Sequence, residues 1–345
     1  MSPLQGFTRF RKHQVGLQSA ILTAVPATRV MPYRGAIVVN PNRTFPDVDT
    51  GSLDPILAPF SGVLDVTATW AGKLSYNDLP YTLGMAGKGG VTPTGATAKT
   101  WTYTYSSLTA DSFEYITDEW GDDTSDAASP SDGIQAYGGV INQYTVGFGQ
   151  DLTVMDLATQ NIYAAVNLQT NRTPGLTVDT SPTWVYGGDS EWFVDTVPGS
   201  IGITKWTDAI RGISWSWNNN LDQKRFANGT NSSNPRFRLT GFGRGARQIE
   251  VTVVLEKTTE SINEAATLDD DPVPSRYLQQ KTTSNVIITG VTPYSWTRNA
   301  RAVLISRADG EIGGNATITL VYAVEYDPTL LYALKDVVVN TLSGL

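Results

Sequence analysis

The chain has no cysteine, which removes disulfide frameworks, thiolate metal sites and cysteine nucleophiles from consideration. It has a single histidine, His13, at the end of the basic run Arg9-Phe10-Arg11-Lys12-His13. A catalytic triad or a histidine-based metal site needs an imidazole held among partners; a basic, proline-rich N-terminal stretch predicts a solvated His13 instead. Charge is scarce as well. Only 17 % of the residues are Asp, Glu, Lys or Arg, against roughly a quarter in an ordinary soluble domain. No apolar run approaches the ~20 residues of a membrane helix, and residues 14–28 are too polar and interrupted for the core of a signal peptide. The expectation is a protein folded in a cytosol, with no membrane association, no metal, no cofactor and no enzymatic activity.

Thr, Asn, Ser and Gly take the place of charge, together with 9 Trp and 15 Tyr. That mixture suits pleated strands joined by polar turns. With 345 residues, 40 % of them hydrophobic, the chain can bury a sizeable core as two domains or as one large all-β unit. Its net charge of −8 lacks the basic field that phosphate binding requires, so free DNA is expected to bind poorly.

Period-two alternation marks the strands. Leu64, Val66, Ala68 and Trp70 share one face; Trp101, Tyr103 and Tyr105 alternate with threonines; Tyr144, Val146 and Phe148 share a face within 140–148. The second half repeats the theme through Ile213, Trp215 and Trp217, then Ile249, Val251, Val253 and Leu255. Further strands are read at 286–290, at 300–306 and along Ile318, Leu320, Tyr322 and Val324. A turn is read at Asn218-Asn219-Asn220. One short helix is predicted from Ser75-Tyr76-Asn77-Asp78-Leu79-Pro80 to a stop at Gly84. A second is opened by the capping box Ser261-Ile262-Asn263-Glu264, and a third lies within 329–338. Residues 1–50, with Pro at 3, 26, 32, 41 and 46, read as an extended arm with few strands.

Leu64 to Trp70 aligns with Ile249 to Leu255 through an acidic residue, a Val-Thr pair and an apolar ending. Each stretch is followed by a short helix and an aromatic strand, which points to an internal duplication. Residues 170–188, rich in Thr, Pro and Gly, read as an interdomain linker. The organisation expected is therefore an arm at 1–50, a first β-domain at 51–187 and a second at 188–345.

Chemical motifs are weak. Asp269-Asp270-Asp271 and the acidic stretch 122–132 offer oxygens to a hard cation but lack the glycine and closing glutamate of a calcium loop. Gly241-Phe242-Gly243-Arg244-Gly245 lacks the strand-then-helix setting of a phosphate cradle and reads as a β-turn. Asn228-Gly229-Thr230 and Asn315-Ala316-Thr317 are glycosylation sequons, relevant only in a secreted protein. A glycosidase needs two carboxylates that converge in space, which the sequence leaves open. Trp70, Trp101, Trp215 and Trp217 fall on apolar strand faces; Trp120, Trp184 and Trp192 lie in irregular stretches where ligand contact is open. Segment 122–132 or segment 258–281 is expected to be a long mobile loop.

Gly16-Leu17-Gln18-Ser19-Ala20, Thr23-Ala24-Val25-Pro26-Ala27-Thr28 and Met31-Pro32-Tyr33-Arg34-Gly35 resemble the start of tail tube proteins of long, flexible-tailed bacteriophages. The resemblance continues from Phe60-Ser61-Gly62 through Val66 and Trp70 to Leu79-Pro80-Tyr81-Thr82-Leu83-Gly84, then in Trp101-Thr102-Tyr103 and Gly138-Gly139-Val140-Ile141-Asn142. It covers most of 14–165, the second half more loosely, and includes no catalytic signature.

It implies a mainly β fold: two tandem tail-tube-type β-sandwich or barrel domains, each with a short flanking α-helix, plus an extended N-terminal arm. It also implies a structural virion protein that self-assembles into stacked rings, forming a hollow tube for DNA ejection. The implied partners are further copies of the chain, a tape measure protein in the lumen, and terminator and tail tip proteins. DNA would pass as cargo repelled by an acidic lumen, in a phage tail assembled in a bacterial cytoplasm. A fused pair of domains predicts three chains in a pseudo-sixfold ring rather than six. The alternative is a carbohydrate-binding or adhesin-like β-sandwich with exposed tryptophans.

Overall fold

The computed structural model describes residues 11–44, 62–106, 111–122, 132–207, 209–224 and 241–345. The first half runs β1 (Lys12–Gln18), β2 (Arg29–Met31), β3 (Ile37–Asn40), β4 (Asp65–Lys73), helix α1 (Leu79–Ala86), β5 (Lys99–Tyr105), β6 (Tyr115–Gly121), β7 (Ile134–Phe148), β8 (Asp156–Tyr163) and β9 (Ala165–Leu168). The second runs β10 (Ser190–Asp195), β11 (Lys205–Trp206), β12 (Ile210–Asn218), β13 (Leu221–Lys224), β14 (Gly241–Arg244), β15 (Gln248–Glu256), helix α2 (Thr259–Ala266), β16 (Ser275–Thr289), β17 (Thr292–Ile312), β18 (Asn315–Glu325) and β19 (Leu334–Asn340). The fold is mainly β. Its strands pair antiparallel in a connected 17-stranded system, with β13–β14 as a separate hairpin.

Two layers arise because β7 changes partners along its length. Its first part pairs with β6 and β9, its second with β8 and β12. Gly138 turns the strand at φ 67°, where a Cβ would sit 2.4 Å from the carbonyl oxygen of Ile21, so glycine alone fits. The layers face each other across the alternating apolar residues. Trp70 of β4 reaches Asp118 of β6 at 3.3 Å, and Trp215 of β12 reaches Gln280 of β16 at 2.6 Å. One core cluster runs through both halves, from Val15 and Trp70 to Trp296 and Val338.

The halves share one pairing pattern. In the first, β1 pairs with β2 and β6, β3 with β4, β4 with β8, and β7 with β6, β8 and β9. In the second, β10 pairs with β11 and β16, β12 with β15, β15 with β18, and β17 with β16, β18 and β19. Strand β5 has no counterpart after α2 and pairs with β19, stitching the halves together. A second seam is β7 against β12.

Several local expectations change. The described part of the arm is not an extended connection: β1 and β2 join the first sheet, because Pro26, Pro32 and Pro41 fall between strands. Gly84 does not stop α1, which ends at Ala86; its missing side chain lets Glu114 N–H bond the Gly84 carbonyl at 3.1 Å. Helix α2 starts earlier than read, on a capping box formed by Thr258 and Ser261. Segment 258–281 is therefore a helix and the start of β16 rather than a loop. The helix expected within 329–338 is absent. Asp327 accepts from the N–H groups of Thr329 and Leu330, and the β-branched run Val337-Val338-Val339 then pairs as β19 between β17 and β5. Gly241 to Arg244 is a strand rather than a turn.

Residues 170–188 are not a free tether. Arg172 is buried and donates to the carbonyls of Gly121 and Asp122, and Val185 bonds Leu74 and Met155. Most of the 122–132 stretch, and Asn228-Gly229-Thr230, lie outside the described residues.

Candidate functional site

The equivalence of the halves extends to single side chains. Asn42 and Asn220 both adopt a left-handed backbone, at φ 44° and 47°. Each donates its N–H to the side-chain oxygen two residues back, Asn40 at 3.0 Å and Asn218 at 2.9 Å. Each side-chain amide reaches a carbonyl just ahead of the strand that pairs with the one the turn ends, Val63 before β4 at 2.7 Å and Ala246 before β15 at 2.6 Å. Gly62 and Gly245 close the motif by donating to Asn42 and Asn220 carbonyls at 3.1 and 3.0 Å. Asn tolerates this conformation because its short polar side chain bonds locally. The turn ends β3 in one half and β12 in the other.

Those two strands differ in one respect. β12 is sandwiched between β15 and β7, whereas the only strand partner of β3 among the described residues is β4. The counterpart of β7 is similarly bare. β17 pairs with β18 over Arg301 to Ile312, and no described strand lies on its other side from Ser306 onward. All residues from Ile305 to Glu311 are exposed, while Tyr144, Val146 and Phe148 of β7 are buried. Among the described residues, two edges thus stand open where the repeat pattern places strand partners.

Two buried polar clusters stiffen the layers. His13 is not solvated: it is 1 % exposed and its Nδ1 lies 3.0 Å from Asp118. Asp118 also accepts from Trp70 Nε1 at 3.3 Å and the Tyr163 hydroxyl at 2.7 Å. Burial first, and then this carboxylate, raise the Tyr163 hydroxyl well above its ordinary pKa. The pair resembles half of a triad, but among the described residues His13 Nε2 is buried without a hydrogen-bond partner, whereas a triad needs a nucleophile on that nitrogen. Sequence proximity could not reveal this pairing, since the partners are 105 residues apart.

The second cluster spans both halves. Arg298 of β17 grips Asp336 of β19 through Nε at 2.8 Å and Nη2 at 3.1 Å, and Nη2 also donates to the Tyr144 hydroxyl of β7 at 2.9 Å. Trp296 donates to Asp336 at 2.8 Å, and the guanidinium lies over Trp215 of β12 at 5.0 Å. Burial alone would lower the Arg298 pKa, but Asp336 outweighs it and the net direction is upward. Tyr144 is pushed up to about 12, by burial first, with Arg298 opposing and Asp336 adding.

The remaining candidates separate rather than converge. No cluster of three or more His, Cys, Asp or Glu side chains suited to a metal occurs among the described residues. A groove of about 410 Å³ beside β10 and β11 holds one carboxylate, Glu191, already paired with Lys205 at 2.6 Å; glycoside hydrolysis needs two. Trp192 is buried on β10, Trp120 lies on β6 with its Nε1 donating to Gly35 at 3.1 Å, and Trp184 bridges Ser75. Every tryptophan is buried or half-buried. No helix among the described residues is long and apolar enough to cross a membrane.

The fold is that of a mainly β protein in which one pairing pattern occurs twice. No protein-family model and no curated protein matches the chain. Among solved structures, it is similar to the SPP1 tail tube determined by solid-state NMR and cryo-electron microscopy. The identity is 11 % and the TM-score 0.29, over 46 % of this chain and 80 % of that one.

Proposed function

We propose that this chain is a structural protein that assembles with copies of itself into stacked rings, forming the hollow tail tube of a long-tailed bacteriophage. The observation that carries the reading is the pair of edges left open among the described residues, on a molecule whose two repeats are already joined side by side. An edge on one end that fits a different edge on the other makes a heterologous contact, which closes into a ring or extends as a filament. Three chains would supply six repeats, a pseudo-sixfold ring. The motifs around residues 14–35, 60–84 and 138–142 favour a tail tube among such assemblies. In that setting the chain would meet a tape measure protein in the lumen and terminator and tip proteins at the ends. The acidic balance of −8 would let DNA pass without adhering, and no catalytic role is assigned.

The sugar-binding alternative loses its main support, because stacking on a glycan needs an exposed aromatic face and every tryptophan is at least half-buried. Negative-stain microscopy of the concentrated protein tests the proposal. Hollow tubes are expected, with threefold symmetry in a reconstruction. Six identical chains per ring would overturn the fused-pair arrangement. A particle that stays monomeric at every concentration, or that binds duplex DNA at micromolar levels in physiological salt, would count against the tube.

A further inference from the structure

We infer that the edge of β17 from Ser306 to Asp309 pairs antiparallel with β3 of a second copy, reproducing between chains the β7–β12 seam found within one. The inference deepens the assembly reading and rests on it for its setting; its geometry comes from the internal repeat. The register follows from a shared irregularity. β7 carries a bulge between Ile141 and Gln143 where it meets Asn161 and Gln160 of β8. β17 carries one between Leu304 and Ser306 where it meets Tyr322 and Val321 of β18. Gln143, Tyr144, Thr145 and Val146 therefore correspond to Ser306, Arg307, Ala308 and Asp309. The Asn turn equates Asn218 with Asn40, and so Trp217, Ser216 and Trp215 with Val39, Val38 and Ile37. Within the chain, Asn218 faces Gln143, Trp217 faces Tyr144, Ser216 faces Thr145 and Trp215 faces Val146. Between chains, Asn40 then faces Ser306, Val39 faces Arg307, Val38 faces Ala308 and Ile37 faces Asp309.

The side chains at these edges suit a joint made after folding. Val38 is 56 % exposed and Ile305 48 % exposed, so apolar surface is available on both edges for a joint to cover. Val38 would meet the small exposed Ala308. On the other face, Arg307 and Asp309, 3.7 Å apart, replace the buried Tyr144 and Val146 of the internal seam. A charged edge keeps free subunits from pairing indiscriminately. Pro41 stands where Asn219 donates its N–H to Asn142 at 2.8 Å, so the seam between chains has one backbone bond fewer.

The absence of cysteine makes a disulfide test clean. Directly opposed antiparallel residues lie about 4.5–5.5 Å apart at Cα, within the ~4.4–6.8 Å span of a disulfide. Val38→Cys and Ala308→Cys in one chain are expected, on mild oxidation of the concentrated protein, to convert the monomer band into a covalent ladder on a denaturing gel. Mixing the two single variants should yield dimers linking 38 to 308, with each variant alone remaining monomeric. Both positions are exposed, so an unchanged thermal transition verifies folding.

Absence of the 38–308 disulfide, a predominance of 38–38 dimers, or equal cross-linking when Arg307→Cys replaces Ala308→Cys would overturn the inference. Tubes in a micrograph without that disulfide would reject this seam and leave the tube reading standing. Cross-linked closed rings that never stack would support the seam and reject the tube.

Discussion

Removing the Asp336 carboxylate tests whether the Arg298 cluster locks the two repeats together. Asp336→Ala deletes the acceptor for Arg298 Nε, Arg298 Nη2 and Trp296 Nε1 at once. Arg298 and Asp336 are 1 % and 0 % exposed, so water does not replace the lost partner. Only the Tyr144 hydroxyl and aromatic faces would remain around the guanidinium. Leaving one member of a buried pair unpaired costs about 3–5 kcal/mol. At roughly 2.1 cal/mol/K per residue, a chain of 345 residues unfolds with an entropy of about 0.7 kcal/mol/K, so Tm should fall by about 4–7 °C. The double variant Arg298→Met with Asp336→Leu should recover part of that loss, because it removes the unpaired buried charge while Trp296 Nε1 and the Tyr144 hydroxyl stay without their partners. Calorimetry and urea titration at neutral pH read both. A fall in Tm under about 1 °C for Asp336→Ala, or a double variant as unstable as the single one, would refute the reasoning.

Asp327 accepts from the Tyr277 hydroxyl and the N–H groups of Thr329 and Leu330 at 2.7, 2.6 and 2.8 Å. Burial pushes its pKa up, but these bonds together with Arg301 hold it below the ordinary carboxylate value. A depressed folded pKa contributes stability that is present above the unfolded value of about 3.9 and lost as pH falls through the folded one. The stability gap between wild type and Asp327→Asn, measured as urea midpoints, should thus be constant near neutrality and close in acid. A gap that widened on acidification would contradict the sign. Asn220→Ala should cost about 1–2 kcal/mol for its left-handed backbone, and Asn220→Gly under about 1 kcal/mol for the lost side-chain bond; equilibrium unfolding separates them. Gly138→Ala, which meets the Ile21 carbonyl at 2.4 Å, should lower Tm more than Asn220→Ala in a thermal melt.

The sequence by itself determined part of the core strands, because alternation is a local property; β1, β6, β8, β10, the start of β16 and β19 also line the core and were not legible in it. Trp101, Tyr103 and Tyr105, or Ile249 through Leu255, can bury one face only as strands, whatever they pack against. It also carried both helices and the sign of an internal repeat. The repeat was aligned two residues out of register: pairing with Asn161 and Tyr322 equates Ala68 with Val251, whereas the sequence match equates Val66 with Val251. Strand faces recur every two residues, so a shift of two leaves every side chain on the same face and alternation cannot detect it.

Tertiary structure decided which strands meet. Residues 329–338 contain good helix formers, yet the open sides of β17 and β5 recruit the last of them as β19, and pairing overrides local preference. His13 is buried because Asp118, far along the chain, arrives beside it through β1–β6 pairing. Which edges remain open is likewise invisible locally. β3 and β12 end in the same asparagine turn and read alike, and only the position of β7 beside one of them leaves the other bare. Alternation is set by a residue's neighbours in the chain, whereas a strand's partner is set by every other strand competing for its hydrogen bonds.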